Sequence, residues 1–132
     1  MRKVHIFFLL IIMIYLLVGC SSMVPDIPNE EYDEENTILD YIKVFPNNVV
    51  MKVNQSQKFE VKAYNSDNHL IAIDVSQVKW VVVYECPVCG KVWNLSPTSE
   101  SIQTTFTPLE IGDYEVWANY KGEWAKANVE AN

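Results

Sequence analysis

The stretch that decides the fold begins Gln77-Val78-Lys79-Trp80-Val81-Val82-Val83-Tyr84 and leads through Glu85 into Cys86-Pro87-Val88-Cys89-Gly90. Its first part consists mostly of β-branched and aromatic residues, which favour strands over helices. One face of this strand carries Val78, Trp80, Val82 and Tyr84, and the opposite face carries Val81 and Val83. Because both faces are apolar, the pattern predicts a central strand that is shielded from solvent on both sides.

The rest of residues 41–132 repeats the strand signal in short segments that are separated by turn residues. Phe59, Val61 and Ala63 alternate with charged residues, and the hairpin around Lys121-Gly122 alternates in the same way. No segment has the 3.6-residue period of an amphipathic helix. Since each sheet has one apolar face to cover, about seven to nine short strands predict an all-β, two-sheet β-sandwich.

Two motifs in this segment resemble features of immunoglobulin-like domains. Trp80 matches the core tryptophan, and Gly112-Asp113-Tyr114 resembles a tyrosine corner, in which the phenol bonds to nearby backbone. Residues 41–132 as a whole are similar to a bacterial Ig-like (Big-type) domain, through runs such as Ile42-Lys43-Val44 and Thr104-Thr105-Phe106-Thr107-Pro108. The resemblance implies a stalk, an adhesion module or a carbohydrate-contact module. The cysteine pair is not a usual feature of that family.

Residues 1–19 have the features of a lipoprotein signal peptide. Arg2 and Lys3 precede an apolar run over residues 6–18, which as a helix spans only about 20 Å and is too short for a comfortable bilayer crossing. The run ends in Leu17-Val18-Gly19-Cys20, which resembles the bacterial lipobox at every position. The resemblance implies cleavage before Cys20 and acylation there, hence a stable lipid anchor. An ordinary signal peptide with a chance cysteine and a short uncleaved anchor are the alternatives.

Residues 20–40 differ in composition from the domain that follows. They contain Pro25, Pro28 and many acidic side chains but no Lys or Arg, which predicts a solvated, extended tether. Loose Ca²⁺ binding by the acids of residues 30–35 is the alternative. Ser21 rather than Asp follows Cys20, which by comparison with Gram-negative lipoproteins favours the outer membrane, or else the outer face of a Gram-positive membrane. The net charge of −7 argues against a nucleic-acid partner.

Cys86 and Cys89 form a motif that is compatible with more than one chemistry. Their Cys-Pro-Val-Cys-Gly motif resembles half of a rubredoxin-type zinc or iron knuckle, but zinc needs four ligands and His69 is the only histidine of the domain. In an oxidising envelope we expect a disulfide between them, which by loop-closure arithmetic contributes about 2 kcal/mol. Metal binding and free or redox-active thiols are the alternatives.

Three tryptophans are the remaining candidates. Trp117 and Trp124 fall on the outer side of the last hairpin as diagonal neighbours, and Trp93 follows the cysteines. Exposed indoles bind sugar rings or anchor protein contacts, although they are also found merely covered by neighbouring chain. No nucleophile–base pair or phosphate loop is recognisable, so we expect no enzyme. We therefore predict a lipid-anchored envelope protein with a non-catalytic binding or spacer module for an unknown protein or carbohydrate; a metal-binding protein and a small subunit of an envelope assembly are the alternatives.

Overall fold

The structure, a computed structural model, describes residues 37–85 and 90–132. Three of the predictions therefore fall outside the described residues. These are the signal peptide with Cys20, most of the acidic tether, and the state of Cys86 and Cys89.

The described residues form nine β-strands and one short 3₁₀ turn at Val75–Gln77. The strands are β1 (Tyr41–Phe45), β2 (Asn48–Met51), β3 (Gln57–Tyr64), β4 (Leu70–Ile71), β5 (Val78–Tyr84), β6 (Trp93–Ser96), β7 (Gln103–Pro108), β8 (Gly112–Tyr120) and β9 (Glu123–Ala131). Their order along the chain follows the alternating runs of the sequence, with β1 and the β8–β9 hairpin where the pattern places them.

The strands make two sheets that face each other across one core. Sheet A has the order β1-β3-β7-β6, and the short β4 pairs with the end of β3. Sheet B has the order β2-β9-β8-β5. All pairings are antiparallel except that of β2 with β9, which is parallel. The prediction of an all-β, two-sheet sandwich is confirmed.

The core takes one residue in two from each long strand, as the alternation predicts. Phe59, Val61 and Ala63 of β3 are buried, and the intervening residues face outward. Sheet B contributes buried side chains from both strands of its hairpin, at Tyr114, Val116, Ala118, Tyr120, Ala127, Val129 and Ala131. The buried residues of both sheets form one hydrophobic cluster. The sandwich thus carries its own source of hydrophobic stabilisation.

The strand of Trp80 is correctly identified but wrongly placed. β5 lies at the edge of sheet B, where β8 is its only partner among the described strands, so the prediction of a central strand is wrong. Val81 and Val83 are each 44% exposed. The sequence misleads here because apolar residues on both faces of a strand do not show how many neighbours that strand has in its sheet.

A smaller error concerns Ile102, which the pattern groups with the inward residues Thr104 and Phe106. Thr104 and Phe106 are buried, whereas Ile102 is 37% exposed. β7 begins only at Gln103, so Ile102 precedes the strand and does not share its alternation.

Trp80 and Tyr114 have the environments that the resemblance implies. Trp80 is 3% exposed, and its indole N–H donates to the Ser101 carbonyl at 2.8 Å. The Tyr114 hydroxyl donates to the carbonyl of Glu110 at 2.8 Å, four residues upstream, which is a tyrosine corner. The pKa of the Tyr114 phenol is raised above its ordinary value, mainly because the side chain is buried. Both polar groups are therefore satisfied inside the sandwich.

We predict that Tyr114→Phe lowers the free energy of unfolding by about 1 kcal/mol, because the buried hydrogen bond to Glu110 is lost. Tyr84→Phe is the matched control. Its ring stacks on Tyr114 with centroids 4.5 Å apart, but the described residues make no hydrogen bond to its hydroxyl. Urea denaturation measures both variants. Equal effects of the two substitutions would contradict the tyrosine corner.

Candidate functional site

The outer surface of the β8–β9 hairpin carries two neighbouring indoles. In the register of the hairpin, Trp117 lies opposite Lys126, and Trp124 lies opposite Asn119. The two tryptophans are therefore diagonal neighbours, with ring centroids 6.3 Å apart and planes at 75°. Trp124 is 55% exposed. A large aromatic side chain held in solvent by a rigid hairpin is available for contact with a partner.

A charged pair fixes the orientation of Trp117. Glu115 accepts a hydrogen bond from the Trp117 indole N–H at 2.9 Å and another from Lys126 Nζ. Lys126 Nζ also lies over the Trp117 ring, 5.4 Å from its centroid. The hydrogen bond from Lys126, followed by that from Trp117, holds the pKa of the Glu115 carboxyl below its ordinary value. These contacts order Trp117 before any partner arrives.

Two valines of the edge strand extend the aromatic pair into a larger apolar surface. Val81 lies directly opposite Trp117, and Val83 lies next to it along the strand, opposite Glu115. We call Val81, Val83, Trp117 and Trp124 the Trp–Val patch. Contiguous apolar side chains on an outer sheet face are the usual mark of an interaction surface.

A shallow depression with acidic walls adjoins this patch. Its volume is about 700 Å³, and it lies where β2, β9, β8 and the end of β5 meet the surface. The charged residues that line it are Glu85, Asp113, Glu115 and Glu130. None of the described residues that line it is Lys or Arg, so this lining favours a cationic group on a partner.

The third predicted tryptophan does not belong to this surface. Trp93 lies on β6 of sheet A and packs partly buried against the core. Its ring makes edge contacts with Tyr84 at 6.3 Å and with Tyr114 at 6.5 Å. Trp93 therefore packs between the two sheets and does not share the outer face with Trp117 and Trp124.

The described residues bear little on the cysteine site. Cys86 and Cys89 lie outside them, and so does Cys20. His69 lies in the turn between β3 and β4, where its backbone N–H donates to the Asn65 side-chain oxygen at 2.9 Å. Within residues 37–85 and 90–132, no group of His, Cys, Asp or Glu side chains is arranged to hold a metal ion. No helix in this part of the chain is long and apolar enough to cross a membrane.

Sequence reasoning identified the two tryptophans but missed the valines and the acidic depression. The pattern predicts a buried face for the valines, because it does not encode the edge position of β5. The acids of the depression come from separate strands and a strand end, so only the folded sheet brings them together. The alternation of the sequence predicts one part of this surface, because it places Glu115 and Trp117 on the same outward face of their strand.

Comparisons with known proteins give the fold and no family. No protein-family model matches the chain, and no curated protein does. Among solved structures, the chain is similar to domains 5–6 of the S-layer protein SbsC, with 14% identity and a TM-score of 0.54 over 74% of this chain and 45% of that one. It is also similar to SbsC domains 4–9, with 14% identity and a TM-score of 0.51 over 74% of this chain and 14% of that one.

The Lin-41 filamin domain is a further neighbour, with 14% identity and a TM-score of 0.49 over 73% of this chain and 96% of that one. The chain spans about half the length of the SbsC domain 4–5 and domain 5–6 fragments. At this level of identity the likeness concerns the fold alone. The described residues form an immunoglobulin-like β-sandwich.

We predict that the Glu115 carboxyl titrates below the ordinary glutamate pKa of about 4.3, because the hydrogen bonds from Lys126 and Trp117 favour its charged form. A lowered folded-state pKa means that the stabilisation is present above the unfolded pKa and is lost as the pH falls through the folded one. Lys126→Met raises the Glu115 pKa.

Lys121→Met is the matched control for that substitution. The Lys121 ammonium lies over the Tyr120 ring, 5.3 Å from its centroid, at the turn of the same hairpin. Carboxyl-carbon NMR titration measures the Glu115 pKa in each variant. A Glu115 pKa that moves equally with both lysine substitutions would contradict the network.

Proposed function

We propose that this chain is a lipid-anchored, non-catalytic binding module of the bacterial envelope, and that the outer face of sheet B is its contact surface. The lipobox-like Leu17-Val18-Gly19-Cys20 supports the anchor, and the acidic residues that follow support a spacer between lipid and domain. The immunoglobulin-like sandwich supports a module that presents a surface. Its likeness to S-layer domains is compatible with a position at the cell surface.

The observation that carries the proposal is the exposed indole of Trp124 beside the ordered Trp117. Tryptophan is among the residues that most often dominate binding energy at protein interfaces. Here it stands on the longest hairpin of the domain, where the backbone is fixed by pairing along both strands. A rigid support keeps the conformational cost of binding low.

The polar groups around the indoles favour a protein partner over a sugar. A sugar ring that stacks on an indole also needs free hydrogen-bonding side chains beside it. Here Glu115 already bonds to Trp117 and Lys126, and the Asn119 side chain donates to the Glu123 carbonyl at 3.1 Å. The apolar continuation through Val81 and Val83 matches an apolar protein surface, and the acidic depression matches a basic rim around it.

A second candidate function rests on the spacing of Cys86 and Cys89. Two thiolates three residues apart converge readily on one zinc or iron ion, and a second copy or a carboxylate would complete the ligand set. Stoichiometric metal that is released on denaturation together with two titratable thiols would establish this function. A mass two hydrogens light without titratable thiols would establish a disulfide instead.

We expect Trp124→Ala to weaken binding of the domain to isolated envelopes of the source bacterium about tenfold or more, because truncation of an interface tryptophan typically costs over about 1.4 kcal/mol. Co-sedimentation of residues 37–132 with the envelopes measures the binding. Phe45→Ala is the control, since Phe45 is an aromatic that is 41% exposed on the opposite sheet. Equal losses in both variants would contradict the assignment of the face.

Treatment of the envelopes with protease before that assay separates the two kinds of partner. Binding that disappears after proteolysis identifies a protein partner, as the engaged polar groups favour. Binding that survives proteolysis and is lost after glycosidase treatment identifies a carbohydrate and overturns the choice of a protein partner.

The anchor has its own test. Cys20→Ser should abolish incorporation of labelled palmitate and move the chain from the membrane fraction to the soluble fraction, because the thiol is the lipidated atom. Ser22→Ala, two positions on, should leave both unchanged. Labelling of the Cys20→Ser chain at the level of the parent would contradict the lipid anchor.

A further inference from the structure

The edge of sheet B at β5 has hydrogen-bonding backbone that the described residues leave unpaired. The Trp80 N–H donates to the Thr98 carbonyl at 2.8 Å, and the Val78 carbonyl accepts from the Glu100 N–H at 3.0 Å. These bonds point away from β8, toward the edge. Because backbone groups of alternate residues in a strand point the same way, the N–H and C=O groups of Val82 and Tyr84 point to that edge as well.

The two halves of the edge differ in how they are covered. Ser99 forms an isolated bridge with Lys79, so the segment 98–100 closes the first half of β5. Beyond it, no described residue pairs with the edge groups of Val82 and Tyr84. Exposed strand edges are normally protected by charge, proline or a bulge, and the segment from Val81 to Tyr84 has none of these.

We propose that this edge pairs with the same edge of a second copy of the chain, in an antiparallel, two-fold symmetric arrangement. The interface is isologous, with each copy offering the same strand. Val83 lies opposite Val83 of the second copy, and Val82 exchanges both backbone hydrogen bonds with Tyr84 of that copy, as does Tyr84 with Val82. This register pairs the edge N–H and C=O groups of Val82 and Tyr84, which the segment 98–100 leaves open.

The segment 98–100, which already occupies part of the edge, and a pair of opposite charges both favour this register. Val81 lies opposite Glu85 of the second copy, so the described part of the incoming strand ends before it meets Ser99. Glu85 then lies diagonally across from Lys79, within reach of a long side chain. One such contact of opposite charge forms on each side of the two-fold axis. This complementarity between Lys79 and Glu85 favours a second copy over an unrelated strand.

The dimer goes beyond the proposed function, because it concerns the edge of sheet B and not its face. Antiparallel pairing of identical edges keeps both outer faces on the same side of the joined sheet. The two Trp–Val patches then meet across the axis through Val83. A dimer would therefore present two copies of the contact surface in one continuous sheet, which raises avidity for a partner with repeated sites.

Disulfide trapping of the full chain in intact expressing cells tests the pairing. Val83→Cys and Val81→Cys are introduced separately into a chain that carries Cys86→Ser and Cys89→Ser, and copper phenanthroline is the oxidant. Val81 and Val83 are both 44% exposed on the same face, so accidental collisions affect them equally. The two Val83 residues form a non-hydrogen-bonded pair at the axis, with their Cα atoms about 4.5 Å apart. The Cα atoms of the two Val81 residues lie about 13 Å apart, which is too far for a disulfide.

The pairing predicts at least about ten times more covalent homodimer from Val83→Cys than from Val81→Cys. Adding Val82→Pro to Val83→Cys removes an edge donor without touching a bond to β8, and should lower the yield about tenfold. Equal yields from the two cysteines overturn the proposal. So does a Val83→Cys product that joins the chain to a different protein with no homodimer, or a yield that Val82→Pro leaves unchanged.

Discussion

The sandwich depends on a group of aromatic rings that lock its two sheets together. Tyr114 of sheet B lies at the centre of this group, stacked on Tyr84 at 4.5 Å and in edge contact with Phe106 of sheet A at 5.3 Å. Phe106 in turn contacts Phe59 at 6.5 Å, and Trp93 contacts both tyrosines. Each fully buried ring of this size contributes about 1.5–3 kcal/mol, so the set outweighs any surface interaction in the domain.

Because these rings hold the two sheets together from inside, the side chains on the outer face of sheet B are not needed for the packing of the core. Tyr114, Val116 and Ala118 point into the core, so Glu115 and Trp117 between them necessarily point outward. Their contacts with Lys126 are exposed and contribute little to stability, but they order the indole. The same alternation that builds the core thus supplies the surface on which we place function.

The sequence was sufficient for the features that depend on alternation and turn chemistry. The strand of Phe59, the β8–β9 hairpin and the positions of Trp80 and Tyr114 follow from local pattern, because a strand with one buried face repeats every two residues. Features that depend on which strands become neighbours were not accessible. The edge position of β5, the inward side of Trp93 and the acidic depression all arise from the order of strands in the sheets, which local pattern does not encode.

The central claim is that the outer face of sheet B, with Trp124 at its most exposed point, is where this domain meets its partner. Hydroxyl-radical footprinting of the domain, free and bound to isolated envelopes, tests it most directly, because oxidation reports the solvent exposure of individual side chains. The account predicts that binding lowers the oxidation of Trp124 several-fold and leaves Phe45 on sheet A unchanged. Protection of Phe45 with Trp124 still fully oxidised would contradict it.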